Sequence, residues 1–78
     1  MNYDLALMAL EGLTRSQLAI SIEQKELVIE GQAAAFKELA RLCLLLAGVQ
    51  SEEDAVELQS GVHLTAGSPP LRLRITAQ

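Results

Sequence analysis

Seventy-eight residues, half of them hydrophobic and only 3% aromatic, make one small domain, with no room for a cofactor domain beside a catalytic one. Folding of so short a chain hides about 60% of its unfolded surface. Ten acidic against six basic side chains leave a formal charge of −4, which argues against a nucleic-acid binder, because that function needs a basic stripe.

The first twelve residues read as a short helix. Asn2 can cap it, Asp4 would sit in its positive first turn, and Gly12 would end it. Tyr3, Leu5 and Leu7 also alternate as in a strand, so both forms stay open. From Leu18 to Glu23 apolar and polar residues alternate, with Leu18, Ile20 and Ile22 on one face. Leu27 and Ile29 repeat the pattern between Glu26 and Glu30. The link at Gln24 and Lys25 reads as a hairpin turn of open type, since Asn-Gly is missing. Gly31 breaks the second strand.

A helix follows over 32–47, built from strong helix formers and followed by Gly48 where a glycine cap belongs. At 100° per residue, Ala34, Lys37, Glu38, Arg41, Leu45 and Gly48 share the arc expected to be wettest. The remaining apolar arc spans roughly 200°, where about 100° suffices for a helix on one sheet. The helix thus carries more apolar surface than one sheet face covers. The N-terminal segment, or a second copy of the chain, is the expected cover.

Residues 50–54 form a polar, acidic loop. Val56 and Leu58 then alternate with Glu57 and Gln59, and Leu71, Leu73 and Ile75 alternate with Arg72, Arg74 and Thr76. The intervening 60–70 holds two glycines and two prolines, which forbid a long regular element there. The expected architecture is α+β in the order strand-strand-helix-strand-strand. One leucine-rich helix packs on a four-stranded antiparallel sheet, with a short N-terminal helix added, all in a single domain over 1–78.

Few residues suggest chemistry. His63 is the only histidine, near Ser60, Thr65 and Ser68, but no acid lies close enough in sequence to orient it as a catalytic base. One histidine and one cysteine cannot supply a four-ligand zinc site. Cys43 falls opposite the wet arc and is expected in the core, inert. Its being the single cysteine excludes an internal disulfide. No phosphate loop or dinucleotide fingerprint occurs, so no catalytic residue, cofactor or metal is expected.

The sharpest charge feature is Glu52, Glu53, Asp54 and Glu57, four acids in six residues. It reads as a solvated loop or as a patch that steers a basic protein partner. Glu57 should emerge with Arg72 and Arg74 on the outer sheet face, where cross-strand ion pairing is expected. These residues and His63 are the candidate partner-binding set. The longest uncharged apolar run, over 42–49, falls far short of the roughly 20 residues that span a bilayer. The start lacks the basic region of a signal peptide. The expectation is a cytoplasmic protein that binds neither membrane nor nucleic acid.

Three stretches together resemble a known family. They are Leu18-Ala-Ile-Ser-Ile with Glu26-Leu-Val-Ile-Glu-Gly31, then the leucine-rich run from Phe36 to Leu46, then Val62-His-Leu-Thr-Ala-Gly-Ser-Pro-Pro-Leu-Arg-Leu73. This is similar to a family of small immunity proteins of bacterial polymorphic toxin systems, immunity protein family thirty-two. The likeness covers about residues 13 to 76, and its most distinctive part is Gly67-Ser68-Pro69 with His63 ahead of it. It implies a non-enzymatic protein that binds and neutralises a cognate toxin. The alternative is a structural or regulatory homodimer that uses the apolar surface of the central helix.

Overall fold

The computed structural model describes residues 2–48 and 55–76. The chain is α+β, with elements in the order α1 (Tyr3–Arg15), β1 (Ala19–Glu23), β2 (Glu26–Glu30), α2 (Ala33–Ala47), β3 (Ala55–Leu58) and β4 (Leu71–Arg74). Among the described residues no helix is long and apolar enough to cross a membrane.

The N-terminal segment is a helix. Its Asn2 side chain accepts the Leu5 N–H at 3.1 Å, and Asp4 and Arg15 complement the helix dipole at either end. Gly12 does not end it. The helix continues to Arg15, and the Ser16 N–H closes it on the Gly12 carbonyl. Ala6, Ala9 and Leu13 form its buried stripe, small at two of three positions, so the backbone lies close to α2.

Gly12 shows how close. A methyl group there would come within 2.5 Å of the Glu38 carboxylate and 2.8 Å of its Cγ. Glu38 is therefore folded down over α1, ion-paired to Arg41 beside it, with its side chain only 13% exposed.

The single four-stranded sheet is not what forms. There are two antiparallel hairpins, β1–β2 and β3–β4, each a two-stranded sheet of its own. Backbone pairing explains the division, because the second edge of β1 is taken by the 63–68 segment. Leu18 donates to the His63 carbonyl at 3.2 Å and accepts from the Thr65 N–H at 2.9 Å, a short parallel bridge. The Ile20 N–H goes to the Ser68 hydroxyl at 3.0 Å. An irregular segment thus stands where a third strand would have to be.

The core lies between these layers. Leu13 of α1, Leu18, Leu42 of α2, Leu58 of β3 and Leu64 are each fully buried, joined by Ile20, Ala35 and Val56. At about 25 cal/mol per Å² of apolar area, such side chains contribute roughly 1.5–3 kcal/mol each. All the largest are leucines, so the core is held by aliphatic packing without an aromatic centre.

α2 lies differently from the projected arc. Ala35, Leu42 and Leu46 are buried, Glu38, Leu39 and Leu45 are half-buried, and Cys43 is exposed. The cause is α1, which covers the Glu38–Leu45 side and turns the opposite face to solvent. Cys43 is thus not a core residue. Gly48 is the C-cap residue, but at φ −88° it keeps a right-handed conformation.

Candidate interaction surfaces

Of the expected partner-binding residues the structure describes four, Glu57, Arg72 and Arg74 on the β3–β4 pair and His63 in a turn. Glu52, Glu53 and Asp54 lie outside the described residues. Glu57 and Arg72 face each other in register across β3–β4 and form an ion pair, both about half exposed. A pair so exposed is worth about 0–1 kcal/mol. Arg74, on the same strand, is exposed.

His63 belongs to a turn. Its Nδ1 accepts the Gln59 N–H at 3.1 Å, and its own N–H returns to the Gln59 carbonyl at 3.1 Å. Partial burial lowers its pKa below 6.5 by desolvation, which favours the neutral ring that this acceptor role requires. The neighbouring hydroxyls are spent on structure. Ser60 donates to the Ser68 carbonyl, and the Thr65 and Ser68 hydroxyls share a hydrogen bond of 2.8 Å. Gly67, at φ +97°, makes the bend that brings Ser68 back under β1. The Gly-Ser-Pro segment therefore works as a clasp, with no nucleophile presented to the imidazole. Among the described residues no three metal-ligating side chains gather.

What the structure does present is uncovered apolar surface, in two separate places. The first is the outer half of the β1–β2 hairpin. Ile22 and Leu27 are register partners, 75% and 66% exposed, while the next pair on the same face, Ile20 and Ile29, is buried and half-buried. The hairpin outruns its core by one pair of residues. On its reverse face Glu23 stands opposite Glu26, with Glu30 further along the same face. The Glu23 carboxylate accepts the Ser21 hydroxyl at 3.2 Å. Like charges directly opposed across a strand pair are destabilising. Among the described residues the outer edge of β2 pairs with nothing.

The second place is the helical layer. Phe36 and Leu44 of α2 are 41% and 74% exposed, and Leu5 and Met8 of α1 are also open. Leu5, Met8, Arg41, Leu44 and Leu45 border an open groove of about 450 Å³ between the helices.

Alternation places Ile22 and Leu27 on the apolar face of the hairpin but leaves their exposure open, because periodicity fixes which face a residue takes and not how far the core extends beneath it. The surplus on α2 was legible as an arc too wide for one sheet. Comparison with protein-family models, curated proteins and solved structures gave no significant match.

Proposed function

We propose that this chain is a non-enzymatic protein-binding module of the immunity type, one that binds and occludes a cognate toxin in the cytoplasm of the bacterium that makes it. The observation that carries the binding reading is the projecting hairpin. A solvent-facing Ile22–Leu27 pair and an opposed Glu23–Glu26 pair are both unfavourable for a chain alone. A partner with an apolar patch bordered by lysine or arginine relieves both at once.

The open edge of β2 adds a row of backbone donors and acceptors for an extended segment of that partner. The charge of −4 favours a basic toxin, such as a nuclease, through faster encounter at low salt. The toxin itself is implied by the resemblance of about residues 13 to 76 to the immunity family.

The test is co-expression with the toxin domain encoded beside the gene. The wild-type chain restores growth, Ile22→Ser with Leu27→Ser abolishes rescue, and Glu23→Lys with Glu26→Lys slows association. Absence of rescue, or rescue that neither pair of substitutions weakens, overturns the reading.

A further inference from the structure

α2 leaves one face uncovered from end to end. Ala33, Phe36, Ala40, Cys43, Leu44 and Ala47 are all exposed, and at 100° per residue they fall within an arc of about 100° with no charge among them. That is the width of stripe a helix turns toward a core. α2 therefore carries two such stripes, and its own domain covers one.

We propose that the second stripe is the interface with a second copy of this chain, the two α2 helices running antiparallel about a two-fold axis at Ala40. The spacing selects this occupant. About that axis Ala33 lies level with the other copy's Ala47, Phe36 with the other copy's Leu44, and Ala40 with its own counterpart. Small residues meet small and large meet large, which is the self-complementarity an isologous contact needs. Each Phe36 enters the hole formed by Ala40, Cys43, Leu44 and Ala47 of the other copy, four residues at the i, i+3, i+4, i+7 spacing of knobs-into-holes packing. The antiparallel sense also sets the helix dipoles head to tail.

The dimer also has a salt signature. Both copies are acidic overall, so self-association strengthens as salt screens their repulsion.

This inference does not rest on the hairpin reading, since the two surfaces lie on different elements and each can fail alone. The experiment is sedimentation equilibrium on the full chain at low and high salt. The wild type is a dimer at micromolar concentration and tightens with salt. Ala40→Glu, which places two carboxylates on the axis, weakens self-association about a hundredfold. Ala34→Glu, exposed but off the stripe, leaves it unchanged, and circular dichroism shows both variants folded. A wild type still monomeric at about 100 µM, or a dimer that Ala40→Glu weakens no more than Ala34→Glu, overturns the proposal.

Discussion

The Ser68 hydroxyl accepts the backbone N–H of Ile20 at 3.0 Å, a buried hydrogen bond joining residues 48 positions apart. It occupies the edge of β1 that a third strand would otherwise fill, and it ties the Gly-Ser-Pro segment to the first hairpin. Ser68 is 6% exposed, so water cannot stand in for it readily. Ser68→Ala strands the Ile20 N–H and should cost about 1–3 kcal/mol, a fall in Tm of roughly 5–20 °C for a domain this small. Thermal unfolding followed by circular dichroism measures it. A loss below about 0.5 kcal/mol would mean that the clasp is not what holds β1 to the loop.

The effect of a methyl group at Gly12 depends in size on a second residue, Glu38. A methyl group at position 12 meets the folded-down Glu38 side chain, so Gly12→Ala displaces that side chain and breaks its ion pair with Arg41. The obstruction is the end of a flexible side chain, which swings aside at the cost of its ion pair, about 0–1 kcal/mol, against a helix-propensity gain of up to about 1 kcal/mol. The net effect in the wild type is close to neutral. In a Glu38→Ala background the obstruction is gone, and Gly12→Ala should stabilise by about 0.5–1 kcal/mol. A urea double-mutant cycle reads both numbers. Additive effects would show that the helices do not approach as closely as described.

His63 gives a pH dependence with a defined direction. Its folded-state pKa lies below 6.5, through desolvation, so the fold prefers the neutral ring that accepts the Gln59 N–H. Near pH 7.5 the imidazole is mostly neutral in both states, and its contribution to stability is present. As the pH falls through 6.5 the unfolded chain takes up the proton first, and stability declines until the folded ring titrates as well. The decline begins above the ordinary carboxylate range. Denaturant midpoints between about pH 7.5 and pH 5 should drop in the wild type and flatten in His63→Gln. An equal slope in both would place the titration elsewhere.

How much of this was readable in advance follows from which forces act locally. Both hairpin strands, α2 and the pairing of Glu57 with one of the two arginines follow from periodicity, which a few neighbouring residues determine, whereas 1–12 fits helix and strand patterns alike. The division into two sheets does not, because it depends on Leu18 and Ile20 bonding to Thr65 and Ser68 across more than forty residues of chain. The exposure of Cys43 follows from α1 covering the Glu38 side of α2. Helical projection ranks faces by polarity and cannot know which one a neighbouring helix will choose. The exposure of Ile22 and Leu27 is hidden for a related reason, since nothing in their alternation records where the core stops.

The β1–β2 turn offers a gain of stability. Gln24 and Lys25 sit at φ 50° and 69°, both left-handed, as a two-residue type I′ turn requires, and neither residue favours that region. Asparagine then glycine is the pair this turn selects. Gln24→Asn with Lys25→Gly relieves about 1–2 kcal/mol of strain per residue, partly offset by the greater freedom of glycine in the unfolded chain. The net gain should be about 0.5–1.5 kcal/mol, read as a raised urea midpoint with unchanged slope. Both side chains are exposed at the end of the hairpin, so no packing is lost. Removing Lys25 also leaves Glu23 and Glu26 with no base beside them in the sequence, so a basic partner should associate slightly faster with the variant at low salt. A lower midpoint would mean that the Gln24 and Lys25 side chains hold the turn by contacts of their own.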